Sequence, residues 1–116
     1  MRIEVRATNI ELTTDVRNTA ERRASFAFGR IAPLIRSVTI VLTDVNGPRG
    51  GLDTCCRVCV KGNDGWSRTV TDIDHDATRA AACAIDRAER AVARHIGRLR
   101  DAGPDRHQRR ASQLIP

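Results

Sequence analysis

LDTCCRVCVKGNDGWSRTVTDI, residues 52–73, is the stretch whose reading decides the fold. Its first ten residues alternate, with Leu52, Cys56, Val58 and Val60 on one side and Asp53, Cys55, Arg57, Cys59 and Lys61 on the other. That period of two belongs to a strand with one buried face. GNDG at 62–65 is a hairpin signal, so the alternation resuming at Trp66 and running to about Ile73 predicts a second, antiparallel strand.

Working outward, RSVTIVLTDV at 36–45 reads as a strand with Val38, Ile40 and Leu42 inward, joined to the hairpin by the loop residues NGPRGG. RIEVRAT at 2–8 alternates strictly, with Ile3, Val5 and Ala7 inward and Arg2, Glu4, Arg6 and Thr8 outward. Between these two strands, Thr13 or Thr14 is placed to cap a helix whose first turn carries Asp15, favourable at the positive end of the dipole. Its apolar stripe is Val16, Ala20, Ala24, Ala27 or Phe28, and Ile31, ending at Gly29 and Pro33. From Asp76 the period lengthens to that of a long helix with Ala81, Ile85, Ala88, Val92, Ile96 and Leu99 on one stripe, stopped by Gly103 and Pro104. The order β-α-β-β-β-α predicts an α+β single domain over residues 1–102, a four-stranded sheet with both helices on one face and the other face open. Residues 103–116 read as a basic, flexible tail.

The chain has 116 residues, one domain's worth, and a formal net charge of +6, which favours a polyanionic partner. Nineteen of its twenty basic residues are Arg, Lys61 being the exception. A guanidinium grips phosphate bidentately and stacks on bases, so the bias leans toward nucleic acid, although a GC-rich coding sequence produces the same preference. No apolar run approaches the roughly 20 residues that span a bilayer, and the N-terminus lacks a secretory h-region. A cytoplasmic location is expected, with Cys55, Cys56, Cys59 and Cys83 as free thiols.

The basic residues fall into groups. Arg87, Arg90, Arg94 and Arg98 recur along one side of the last helix, a ribbon long enough to follow an RNA backbone, with Asp86 and Glu89 near enough to neutralise part of it. Arg22, Arg23 and Arg30 belong to the first helix, with at least two on its exposed side. Arg57 and Lys61 alternate outward on a strand, and Arg49 projects from the glycine-rich loop. These ten are the candidate RNA-binding residues, and contacts of this kind position a protein without reading sequence. Each group has a plainer reading as a solvated face, and charge on an edge strand also discourages aggregation. With no Tyr, two Phe and one Trp, base stacking is a poor prospect, Phe26 and Phe28 being assigned to the core.

CCRVC at 55–59 invites a metal, but on a strand Cys55 and Cys59 oppose Cys56, and zinc knuckles use C-x₂-C with a second ligand pair. No metal or other cofactor is expected. His75, between Asp74 and Asp76, is the one acid-base candidate, yet it sits where a strand gives way to a helix and the aspartates suit an N-cap. With no nucleophile elbow, P-loop or carboxylate pair, an enzyme acting on a small-molecule substrate is not expected.

Over residues 1–101 the chain resembles the ribosome hibernation-promoting factor family, also called ribosome-associated inhibitor A or sigma-54 modulation proteins, in a short form. The resemblance rests on NIELTTDVR (9–17), RRASFAFGRI (22–31) followed by SVTIVLTDV, the NGPRGGLD loop (46–53), and AIDRAERAVARHIGRL (84–99). It implies the β-α-β-β-β-α fold and a factor that binds 16S rRNA of the small ribosomal subunit near the decoding centre. There it would block tRNA and mRNA sites in stress or stationary phase. Where members read Tyr-Ala-Ala-Ile-Asp this chain has Ala82, Cys83, Ala84, Ile85 and Asp86, so an aromatic contact is missing. The sequence stops soon after the domain, so pairing of ribosomes through a long C-terminal extension is not expected. The rival reading is a regulatory module of the same fold that binds a protein partner or itself.

Overall fold

The structure, a computed structural model, describes residues 1–45 and 53–102, the side chains as far as 99. The loop with Arg49 and the tail from residue 103 lie outside the described residues. Strand β1 (Arg2–Thr8) is followed by helix α1 (Thr14–Phe28), a 3₁₀ turn (Gly29–Leu34) and strand β2 (Ile35–Asp44). Strands β3 (Thr54–Gly62) and β4 (Ser67–Asp74) and helix α2 (Ala77–Ala102) complete the expected β-α-β-β-β-α order. The four strands form one sheet in the order β1-β2-β3-β4. β1 runs parallel to β2, as a connection through a helix allows, and the other two pairings are antiparallel.

Local chemistry accounts for the boundaries. Thr13 caps α1, its hydroxyl accepting from the Val16 amide at 3.2 Å. Pro33 cannot continue an α-helix, and the chain tightens into the 3₁₀ turn around it before extending at Ile35. In the β3–β4 hairpin the Gly62 amide donates to the Trp66 carbonyl at 2.8 Å, and Gly65 takes φ +93°, a conformation that suits glycine. At the start of α2 the Asp76 carboxylate accepts from the Thr78 amide at 3.0 Å, the capping role expected for this run.

The core lies between one face of the sheet and the two helices. Val38, Ile40 and Leu42 of β2 and Cys56, Val58 and Val60 of β3 are fully or almost fully buried. The helices meet them mainly with small side chains, Ala20 and Ala24 from α1 and Ala80, Ala81, Ala84 and Ala88 from α2, with Phe28, Ile85 and Val92 filling the wider gaps. Bulk from the strands and small residues from the helices let the two layers approach closely. Thr54 joins the buried face of β3.

Two core assignments need correction. Phe26 is 89% exposed, while Phe28 is buried. Residues two apart on a helix point about 200° away from each other, so only one of them can reach the sheet. Leu99 is 52% exposed, because α2 has run past the end of the sheet that covers its stripe at Ile85 and Val92.

Candidate nucleic-acid interface

The strand registers assign each cation on the sheet to a face. On the side away from the helices, Arg2, Ser37, Lys61 and Ser67 form one cross-strand row, and Arg6, Val41, Arg57 and Thr71 form another. Between them lies the row Glu4, Thr39, Cys59 and Thr69. This face is hydroxyl-rich and bears four cations against one carboxylate. Glu4 is held by Arg6, whose Nε and Nη2 donate to its two oxygens at 2.9 and 3.1 Å. The bond from Arg6, aided by the charges of Arg6 and Arg2, holds the Glu4 carboxyl below its usual range. Arg57 and Lys61 are exposed as expected, but β3 is paired on both sides, so their charge is not edge protection. Arg2 and Arg6 join them, and Arg2, Arg36 and Lys61 converge on a shallow concavity at one end of the face. Sequence reading placed Arg2 and Arg6 outward but missed this convergence, in which Arg36 stands at the register irregularity between Ile35 and Ser37.

On the helical layer, Arg87, Arg90, Arg94 and Arg98 are all exposed. At about 100° per residue they fall within an arc of roughly 80° on the flank of α2. Arg79, also exposed and two turns before Arg87, extends the same flank and was overlooked. The members are not equivalent. Arg87 folds down onto the β4 edge, its Nη1 donating to the Thr71 carbonyl at 2.7 Å and lying 3.7 Å from the Asp72 carboxylate. Asp86 reaches across to Arg23 of α1 at 3.6 Å, so it partly neutralises the first-helix group rather than the ribbon. Arg22 and Arg23 are exposed on α1, and Arg30 is exposed in the 3₁₀ turn rather than in the helix.

The remaining candidates behave as their surroundings dictate. Burial pushes the Cys56 thiol up to about 12, so it stays protonated and inert, whereas Cys83 is exposed and Cys55 and Cys59 are half-buried on the open sheet face. His75 projects into solvent beside the Asp53 carboxylate. Among the described residues no three His, Cys, Asp or Glu side chains gather as metal ligands, and no helix is long and apolar enough to cross a membrane. Trp66 is half-buried, tilted against His95 with ring centroids 4.9 Å apart. The His95 Nδ1 lies 2.8 Å from an Arg68 nitrogen, so it accepts, and the ring proton falls on Nε2, which is buried with no protein partner among the described residues.

No protein-family model matches the chain, and no curated protein matches it. Solved structures do. The N-terminal domain of Protein Y from Thermus thermophilus superposes with a TM-score of 0.67 at 23% identity, over 82% of this chain and 99% of that one. A ribosomal subunit interface protein from Coxiella burnetii superposes with a TM-score of 0.68 at 15% identity, over 84% of this chain and 99% of that one. At such identities the likeness is one of fold, and the fold implied by the sequence resemblance is the fold observed: the chain is built like the N-terminal domain of Protein Y and like a ribosomal subunit interface protein.

Proposed function

We propose that this chain is a ribosome-associated factor whose domain, residues 1–102, binds 16S rRNA of the small subunit near the decoding centre and blocks tRNA and mRNA sites in stress or stationary phase. The observation that carries the reading is the row of outward guanidiniums on α2, Arg90, Arg94 and Arg98, set in a fold shared with a protein named for the ribosomal subunit interface. Guanidiniums on a rigid helix meet phosphates at spacings that the backbone sets, and they release counterions as they bind. The chain makes no demand for base-specific readout, since the shape of folded rRNA supplies the specificity. Arg22, Arg23 and Arg30 act as further phosphate contacts on the helical layer, Arg57 and Lys61 on the opposite face of the sheet; Arg49 adds another, and the basic tail adds unspecific attraction. The protein works in the cytoplasm, as a stoichiometric blocker without a cofactor.

The test is co-sedimentation with purified small subunits in sucrose gradients. Wild-type protein should travel with the subunits at low salt and leave them as salt rises, and Arg90→Glu/Arg94→Glu/Arg98→Glu should stay at the top of the gradient while remaining folded. Failure of the wild type to co-sediment at low salt, or undiminished binding by the triple variant, would overturn the proposal.

A further inference from the structure

Phe26 is the most exposed large apolar side chain among the described residues, at 89%. It occupies the crest of α1, about 160° around the helix from the centre of the buried stripe formed by Ala20, Ala24 and Phe28. A single exposed apolar residue is ordinary on a protein surface. The company it keeps is not. Side chains on a helix lean toward its N-terminus, so the ring lies back over the preceding turn. Arg22 and Arg23 stand on that turn, one on either side of it. Thr19, Arg22, Arg23, Phe26, Ala27 and Asp86 together line an open concavity of about 360 Å³. Asp86, from α2, ties Arg23 in place at 3.6 Å.

We propose that Phe26 is a stacking platform for one unpaired RNA base, with Arg22 and Arg23 holding the phosphates on either side of it. The inference rests on the RNA-binding part of the function proposed above. Charge selects the occupant. A protein partner docking on Phe26 would have to bury two guanidiniums beside an apolar ring, whereas a nucleotide brings a π face for the ring and phosphate oxygens for the guanidiniums. The Asp86 carboxylate beside Arg23 offers an acceptor to a base with an exocyclic amino group, and it makes the pocket a poor site for free phosphate. A base must be unpaired to enter, so duplex RNA cannot use the site.

The experiment measures binding of a fluorescein-labelled six-residue oligoadenylate and of a blunt-ended RNA duplex by anisotropy. Loss of one stacked base is expected to weaken the oligoadenylate about 5- to 150-fold in Phe26→Ala. Phe26→Leu, which keeps the apolar bulk and removes the π face, should lose a similar factor, and Phe26→Trp should restore binding. Duplex affinity should not change in any of the three. The side chain is exposed, so these variants keep the fold. Equal oligoadenylate binding by Phe26→Ala and wild type overturns the proposal. So does full retention by Phe26→Leu, which shows that apolar bulk rather than a stacking face carries the binding, or self-association of the wild type that Phe26→Ala abolishes. The same variants run on ribosome gradients separate the two proposals: Phe26-dependent oligoadenylate binding without ribosome binding leaves the platform standing and removes the ribosome. Ribosome binding that ignores Phe26, together with unchanged oligoadenylate affinity, does the reverse.

Discussion

Removing Arg90, Arg94 and Arg98 together, as glutamines, should change the salt dependence of RNA binding by an amount that follows from their number. The three are exposed on the α2 flank, about 12 Å from first to last at the helical rise of about 1.5 Å per residue, so each can reach a different phosphate. Each neutralised phosphate contributes about 0.7 to 0.9 to the slope of log K against log salt, and three contribute about 2.1 to 2.7. A fourfold rise in salt, from about 50 to 200 mM, should then shrink the wild-type advantage over the variant by about 20- to 40-fold. Titrating small subunits or a 16S rRNA fragment with labelled protein at four salt concentrations gives both slopes. Arg87 supplies the control, because it already bonds the Thr71 carbonyl and faces Asp72. Arg87→Gln should cost up to about 1 kcal/mol of stability and move the slope by well under the roughly 0.7 that one phosphate contact contributes. Parallel slopes for the wild type and the triple variant would refute the assignment of these three guanidiniums to phosphate, whatever happened to affinity at one salt.

Three further outcomes follow from the packing. A methyl group at Gly62 would collide with the Trp66 indole, so Gly62→Ala should destabilise the domain by about 1 to 3 kcal/mol and shift the Trp66 emission, read by thermal and urea unfolding. Ile85→Ala, in the centre of the buried face of α2, should cost about 2 to 5 kcal/mol by the same assays. Burial and the nearby charges of Arg68 and Arg98 lower the His95 pKa, so the unfolded chain takes up a proton there at higher pH than the folded protein does. The stability associated with neutral His95 is therefore complete above the unfolded value of about 6.5 and is lost as pH falls below it. Wild-type Tm should drop between about pH 7 and pH 5 more steeply than that of His95→Gln, and identical slopes would show that the ring does not resist protonation.

The fold was almost wholly legible in the chain. Strict alternation at 2–8 and 52–61, the GNDG turn and the two helical stripes are local signals, and each produced the element expected of it. The ribbon on α2 was legible for the same reason, since helical spacing alone decides which residues share a flank. What could not be read were the pairings across elements. The Arg87 contact with β4 and the Asp86 link to Arg23 join residues far apart in the sequence, and they decide which guanidiniums are already engaged. The convergence of Arg2, Arg36 and Lys61 needed the sheet register, and the interior position of β3 needed the strand order.

Phe26 shows the division between the two kinds of information most clearly. By composition and hydropathy it is a core residue, as Phe28 is, and the stripe beginning at Val16 left open whether Ala27 or Phe28 completed it. The sequence by itself determined the elements, their order and the charged flank of α2, because those follow from periodicity along one chain. Only the packed structure decided which apolar residues had a sheet to face, because burial depends on which side of a helix the opposing layer covers and on how far that layer extends. Phe28 met the layer, Leu99 lay beyond its end, and Phe26, about 160° around α1 from the buried stripe, faced away from it and became the crest of the helix.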